Sequence, residues 1–568
     1  MPVSQLFCSL VQTAWMGTCL GEAMRFRRAA NSSLKNVQAN VLHEILENAA
    51  GSEFARQHGL TAVSAVKDFQ NSVAINDYED LQPFVQRIAE GQQNVLSNEK
   101  VLMFEETSGT TSGTRLIPYT RGLQRSFNRA LHPWLFDLYT HAAGLWGGPA
   151  YWVVTPGAAA GRTTAGGVPI GFANDSDYFG SWAKPLIGSL MAVSEDVKKQ
   201  GGGQVWRYLT ALSLLRCADL RLISLWNPTF FAALVRSMDE WSDRLVSDLR
   251  DGSCRTGFLG SSSVDNLPAY AGKAAPERAE LFKESLAALR AGRPAEFSAR
   301  LWPRLVAISS WTEAEASNGA TQLRSFFPHQ FWQTKGLLAT EGAVTLPMSG
   351  APAPVLAVRS AFFEFEEGEE GAGAIRLAHE LTAGCRYRLI MTTFGGLYRY
   401  RLHDIVEMRG WWRNLPCLAF AGKEAMVCDL SGEKLSAAHV KNILTRLPGH
   451  LETAFIAPEK SPADEPPGYL LVASREESSL DQRELAERLE AALCENIHYH
   501  WSREAGQLQA ARVMLLPVSP NRLNQLRMQR IEEEGGQVST AKHGVLSRLS
   551  GWEAWLNNQL SGQPCRGR

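Results

Sequence analysis

Apolar positions along the chain switch between two periods. Leu34, Val37, Val41, Leu42 and Ile45 recur every three or four residues, which predicts an amphipathic helix over 34–49. Downstream the pattern shortens. Leu220-Arg221-Leu222-Ile223-Ser224-Leu225 predicts a strand, and Asn227-Pro228 directly after it opens a helix. A second short buried run covers 305–308, and Tyr151-Trp152-Val153-Val154 predicts another strand. Phe362-Phe363-Glu364-Phe365 alternates, then meets an acidic, glycine-rich stretch at 366–373 that fits an exposed hairpin loop. Runs at 386–393 and 398–408, joined across Gly395-Gly396, predict a further strand pair. Strands interleaved with helices at this spacing imply an α/β class.

Beyond about residue 416 the character changes. Residues 416–422 lead into the turn-rich Asp429-Leu430-Ser431-Gly432-Glu433-Lys434. A helix is expected over 436–446, a strand near 453–456, a proline-rich loop at 458–468, a strand at 469–473 and a helix near 481–496. Together these make a separate α+β domain of ~140 residues. The expected organisation is a large N-terminal mixed α/β domain, 1–420, and a smaller C-terminal α+β domain, 421–568.

The chain's 568 residues exceed what one core serves. Lysine plus arginine (57) nearly cancel aspartate plus glutamate (58), so the basic excess of a nucleic-acid or anionic-membrane binder is missing. Nine cysteines without a CxxC pair argue against a disulfide framework or zinc knuckle and for a cytoplasmic setting. The opening MPVSQLFCSLVQ has no basic segment before its apolar residues, so no secretory signal is expected. Residues 138–161 lack Asp, Glu, Lys and Arg, but five glycines and two prolines break them, so no membrane span is expected.

Three segments carry candidate chemistry. The first is Glu105-Glu106-Thr107-Ser108-Gly109-Thr110-Thr111-Ser112-Gly113-Thr114-Arg115. Its glycines let backbone amides approach an anion, its hydroxyls can donate to phosphate oxygens, and Arg115 adds a cation at the rim. The glycine spacing and the missing Lys-Ser/Thr exclude a Walker A loop, and Thr111 at the centre excludes a nucleophile elbow. Alone, the segment fits a phosphate loop and a plain surface turn equally well. The second segment, Leu337-Leu338-Ala339-Thr340-Glu341-Gly342, places a hydroxyl and a carboxylate where they can hold Mg²⁺ and a phosphate oxygen. The third, Tyr398-Arg399-Tyr400-Arg401-Leu402-His403-Asp404, ends a strand on an acid able to accept from ribose hydroxyls. Singly, each of these two also fits a solvated turn.

In this order the three motifs resemble the GH3 family, acyl acid amido synthetases within the adenylate-forming superfamily. Asp77-Tyr78-Glu79-Asp80-Leu81-Gln82-Pro83 with Gly91, Ser224-Leu225-Trp226-Asn227-Pro228, the Phe362 strand, and Asn496-Ile497-His498-Tyr499 with Arg503 also resemble it. The likeness runs over roughly 35–550. It implies a soluble, cytoplasmic ligase that adenylates a carboxylic acid with ATP and Mg²⁺, then conjugates it to an amino acid, releasing AMP and pyrophosphate. An acyl-CoA synthetase shares the first step, and a catalytically weak nucleotide- or acyl-binding protein is the reading from a different class. By the same resemblance, Thr107, Ser108, Gly109, Thr110, Thr111, Ser112 and Gly113 form the phosphate loop, with Arg115 as a catalytic cation. Thr340 and Glu341 lie beside the α-phosphate, Glu341 as catalytic residue and metal ligand. Asp404 binds the ribose, Lys423 begins a hinge, and Lys434 approaches the phosphates from a mobile C-terminal domain. Three departures stand out: His403 replaces the family's glycine, Lys423 its arginine, and the first motif is one residue short.

Other candidates weigh less. His498 and His500 are two apart, so on a helix their rings diverge and a structural role is expected. Arg522, Arg527 and Arg530 are expected on a solvated helix face. Trp134, Phe136 and Tyr139 are expected in the core on one helix, with one side available to an acyl pocket. Lys542 is a candidate lysine in the C-terminal domain.

Overall fold

The computed structural model describes all residues except 1–4, 61–64, 108–114, 154–161, 172–183, 195, 198–203, 227, 258–269, 314–316, 369–372, 424–426, 429, 431–432, 434, 460–465, 505–507, 535–543, 548 and 561–568. The chain divides into two compact units, Met1–Gly422 and Lys423–Arg568.

The first unit opens with α1 (Gln5–Ala30) and α2 (Leu34–Ala49). Val41, Leu42, Ile45 and Ala49 of α2 are buried, the stripe its periodicity predicts. Helix α3 (Tyr78–Ala89) starts at Asp77, whose backbone N–H donates to Asp80 Oδ2 at 2.8 Å. Strands β1 (Val101–Thr107) and β2 (Arg115–Thr120) pair antiparallel, with Thr107 opposite Arg115 at the open end. Thr120 then caps α4 (Arg121–His141): its hydroxyl oxygen accepts from Leu123 N–H at 3.1 Å.

A parallel sheet follows, built from β3 (Ala150–Trp152), β4 (Leu222–Leu225), β5 (Ala307–Ser310) and β6 (Phe331–Thr334) in consecutive order. Every residue of β4 and β5 is buried, as expected where both faces of a sheet are covered. Helix α5 (Thr229–Glu240) leaves β4 just after Pro228. Next come the short β7 (Leu338–Ala339), β8 (Gly342–Ala343), β9 (Thr345–Leu346) and β10 (Val355–Leu356). Then follow β11 (Phe362–Glu367), the short β12 (Ile375–Leu377), β13 (Arg386–Thr392), β14 (Tyr400–Trp412) and β15 (Leu415–Lys423). Seven of them form a second sheet in the order β12-β11-β13-β14-β15-β10-β9. Strands β11 and β12 pair antiparallel, and Glu366 and Glu367, expected in an exposed loop, instead continue β11, where Glu366 is buried opposite Ile375; 369–372 lie outside the described residues. Strand β15 is a difference from the sequence expectation of a lead into turns. Pro416 lies at the strand's start, where the ladder tolerates it, and Leu415, Cys417, Leu418 and Phe420 are all buried.

The second unit contains β16 (Val427–Cys428), β17 (Leu435–Ser436), α6 (Ala437–Arg446), β18 (Phe455–Glu459), β19 (Gly468–Ser474), α7 (Gln482–Leu493), α8 (Ile497–Glu504), β20 (Arg512–Leu516), α9 (Pro520–Glu533) and α10 (Trp552–Leu560). Strands β18, β19 and β20 form its sheet, antiparallel then parallel. Leu485, Leu489 and Tyr499 belong to one apolar cluster, and Phe455, Leu523 and Trp552 to another. The basic stretch on α9 corrects its expectation. Arg527 is buried with its guanidinium 4.3 Å from the Phe455 ring, and Arg530 sits 5.5 Å from the Trp555 ring. Only Arg522 is exposed, because cation–aromatic stacking lets arginine bury its stem. No described helix is long and apolar enough to cross a membrane.

Candidate active site

The described parts of the three candidate motifs are linked through Arg115, Tyr400 and Glu341. Strands β1 and β2 hold the two ends of the Ser/Thr/Gly loop. Thr107 closes β1, while Ser108, Gly109, Thr110, Thr111, Ser112 and Gly113 lie outside the described residues. Arg115 opens β2, donates to Glu79 Oε1 at 3.0 Å and lies 5.2 Å from the Tyr78 ring. The Tyr78 hydroxyl donates to Leu116 O (3.3 Å) and accepts from Leu116 N–H (2.9 Å). The start of α3 therefore braces the strand that leaves the loop.

Thr340 and Glu341 form the turn of the β7–β8 hairpin, with Ala339 opposite Gly342. Any side chain at Gly342 would press on the Met391 methyl at 2.7 Å, so glycine lets this hairpin lie against β13. Glu341 is buried, and its Oε1 accepts from the Tyr400 hydroxyl at 3.4 Å. Burial first, and then the Glu341 charge, raise the Tyr400 phenol well above its ordinary range, while Arg115 acts in the opposite direction. Tyr400 thus stays a neutral donor and links Arg115 to Glu341.

Asp404 is 2% exposed and sits in an irregularity of the β13–β14 ladder. Arg388 faces Ile405 and Ile390 faces Arg401, so Leu402, His403 and Asp404 lie opposite Leu389 alone. Such bulges bend a strand and re-aim its side chains. His403 adopts φ +60°, the left-handed conformation that the family's glycine takes freely. Its Nε2 lies 3.3 Å from Asp77 Oδ1, and Arg401 Nη1 reaches Asp77 Oδ2 at 3.1 Å. The histidine at 403 thus holds a left-handed backbone and sets its ring against Asp77.

The remaining expected residues belong to the second unit or its border. Lys423 ends β15, with only its backbone described, and Lys434 lies outside the described residues, as does Lys542. Glu433, beside Lys434, is buried and accepts from Leu430 N–H at 2.7 Å and from the Tyr469 hydroxyl. His498 and His500 fall on α8 around Tyr499, whose hydroxyl donates to Glu490 at 2.8 Å. Among the described residues no group of three or more His, Cys, Asp or Glu is placed to hold a metal ion.

Two features escaped the sequence. Asp77, Tyr78 and Glu79 brace both β2 and β14, a role set by partners over 35 residues away in sequence for Tyr78 and Glu79 and over 320 for Asp77. Lys335 is the other: it is buried behind Trp134 and Trp226. A lone lysine between the strand end Gln333-Thr334 and the apolar Leu337-Leu338 was the available signal. Trp134, Phe136 and Tyr139 do share α4, with Tyr139 in the core and Trp134 on the pocket that Lys335 lines.

The chain is similar to known proteins in sequence and in fold. The GH3 family N-terminal domain matches residues 23–331, and the GH3 family central domain matches 354–423. The chain is 24% identical over 478 residues to the indole-3-acetic acid-amido synthetase GH3.6 of Arabidopsis thaliana, covering 75% of this chain and 74% of that protein. It is 25% identical over 498 residues to a probable indole-3-acetic acid-amido synthetase GH3.7 of Oryza sativa subsp. japonica, covering 77% and 74%. Its fold is similar to the GH3.15 acyl acid amido synthetase, with a TM-score of 0.72 at 20% identity over 95% of both chains. A second structure of that synthetase, in complex with 2,4-DB, gives a TM-score of 0.73 at 19% identity over 97% of this chain and 96% of that one.

Proposed function

The chain belongs to the GH3 family, and from that premise we propose that it activates a carboxylic acid as its adenylate and transfers the acyl group to an amino acid. In the first step the acid's carboxylate attacks the α-phosphorus of ATP and pyrophosphate leaves. In the second the amine attacks the acyl carbonyl, loses a proton, and AMP departs. The observation that carries this reading is the line Arg115–Tyr400–Glu341, with buried Asp404 four residues further along β14, in the bulge.

Each residue then has a task. The loop between β1 and β2 cradles the phosphates through backbone amides and hydroxyls. Arg115, held by Glu79, supplies positive charge that is already oriented when charge develops on the phosphate. Asp404 accepts from the ribose hydroxyls. Thr340 and Glu341 offer the hard oxygen donors that suit Mg²⁺, and Glu341 is anchored by Tyr400; the ion would neutralise phosphate charge there. Lys434, carried by the second unit, brings a further cation in one of the half-reactions, and Lys423 begins the connecting segment.

ATP–pyrophosphate exchange across a panel of acids tests the first step. The panel includes indole-3-acetic acid and 2,4-DB, the acids in the names of the relatives. Amide formation with amino acids, run beside thioester formation with coenzyme A, tests the second. ATP binding without exchange for any acid would reduce the protein to a nucleotide-binding module, and thioester without amide would make it a CoA ligase.

A further inference from the structure

Ligands of open α/β sheets bind beyond the carboxyl ends of the strands, and one lysine is buried there. Lys335 follows β6 and is 4% exposed. Its Nζ donates to Ser224 Oγ at 2.8 Å, just beyond mid-β4, and lies 4.7 Å and 5.1 Å from the rings of Trp226 and Trp134. Leu131, Leu338, Leu346 and Pro347 complete the wall around it. Burial alone pushes its ammonium down to about 7, with no carboxylate acting the other way. An ammonium has three donors, and Ser224 takes one. The indole faces favour a cation but offer no oxygen acceptor. Among the described residues Ser224 Oγ is the hydrogen-bond acceptor for Nζ, and a buried donor without an acceptor is costly unless a ligand supplies one.

Position along the hairpin says which part of a ligand would meet it. Thr340 and Glu341 form the turn, and the ladder runs back through Leu338 opposite Ala343 to Leu337, whose N–H donates to Thr345 Oγ1 at 2.8 Å. Gly336 lies so close to the Thr345 carbonyl that no side chain fits there, which fixes the path of the chain into Lys335. Lys335 therefore lies past the open end of the hairpin, away from the turn. An acid whose carboxylate reacts at the turn and whose chain runs back along the hairpin would bring its other end to the lysine.

The geometry points to Lys335 as a specificity-determining residue that selects acids carrying an oxygen acceptor, such as a hydroxyl or second carboxylate, at the end remote from the reacting carboxylate. This rests on the reading of the Thr340–Glu341 turn as the reaction centre. A site built to hydrogen-bond a substrate oxygen rejects the analogue lacking it far more strongly than an apolar pocket rejects an added hydroxyl.

The test uses paired acids that differ only in a terminal methyl or hydroxyl group: ω-methyl and ω-hydroxy alkanoates of graded length, and para-methyl and para-hydroxy phenylacetates. Binding is measured by calorimetry without ATP, and kcat/KM by pyrophosphate exchange. The wild-type chain should prefer the oxygen-bearing member of the pair that fits by about tenfold or more. Lys335→Met, which keeps the length and removes the donor, should collapse that ratio. Lys335→Gln, which keeps N–H donors, should retain part of it and serves if the methionine variant fails to fold. A ratio unchanged in both variants, or a wild-type preference for the methyl acid in every pair, overturns the inference while exchange activity leaves the synthetase reading intact. A Lys335-dependent preference in calorimetry without exchange for any acid does the reverse.

Discussion

His403 holds a left-handed backbone conformation that costs a non-glycine residue about 1 kcal/mol or more, and its side chain offsets this at Asp77. The hydrogen bond from His403, then the charge of Arg401, hold the Asp77 carboxyl below the usual carboxylate range against the opposing effect of burial. A carboxyl depressed in the folded state adds stability that is present above its unfolded value near pH 4 and lost as pH falls through its folded value. Asp77→Asn should therefore lower stability at pH 7, by about 1 kcal/mol or less because the pair is partly solvated. The gap should close as pH falls through the folded carboxyl's depressed value. Urea unfolding of both proteins at pH 7 and at successively lower pH checks this, and a gap that stays constant would remove the ionic contribution. Asp404 carries a different expectation. Replacing it with alanine should raise the KM for ATP about tenfold or more, since a hydrogen bond to a charged group is worth about 1.5–3 kcal/mol. An unchanged KM in a folded variant would take Asp404 out of the ribose site.

At the scale of elements, one ion pair fastens β14 to β11 and to the short helix Val66–Ser72. Arg399 donates from Nε and Nη2 to Glu364, both at 2.9 Å, and from Nη1 to the carbonyls of Gln70 (2.9 Å) and Val73 (2.7 Å). Both side chains are buried. Removing one partner strands the other's charge, at a cost of about 3–5 kcal/mol. Arg399→Met should lose about that much by urea unfolding, and adding Glu364→Gln should recover a good part of it. A loss under about 1 kcal/mol in the single variant would mean that the pair does not hold the strands. The strands themselves were legible from alternation, since antiparallel pairs with one dominant apolar face write a period of two. The division of labour within Tyr398-Arg399-Tyr400-Arg401 was not. Arg399 turns to Glu364, Arg401 to Asp77 and Tyr400 to Glu341, partners that lie in distant segments. The same reason hid Lys335, whose burial depends on Trp134 and Trp226 from two other elements. Arg527 looked solvated because a charge on a polar helix normally is, and the packed Phe455 ring together with the Gly544 carbonyl reverses that.

At the scale of the molecule, the proposed site residues divide between the two compact units. Arg115, Thr340, Glu341 and Asp404 belong to the first, and Lys423 and Lys434 to the second. The two half-reactions need different surroundings at one adenylate: the first must neutralise a leaving pyrophosphate, the second must admit an amine while excluding water. Under the proposed reading, a cation carried by the second unit would be present for one step and withdrawn for the other. Lysine suits that role, being a compact charge on a flexible stem. Its neighbour Glu433 accepts from Leu430 N–H and from the Tyr469 hydroxyl within the second unit. Lys434→Ala should slow one half-reaction at least tenfold, about 1.4 kcal/mol of barrier, and leave the other nearly untouched. Unfolding free energy should change by only about 0.5 kcal/mol. Pyrophosphate exchange measures adenylation, and amide formation from preformed acyl-adenylate measures transfer. Equal slowing of both would place Lys434 in substrate binding common to the two steps, and wild-type rates in both would remove this cation from the proposed reading.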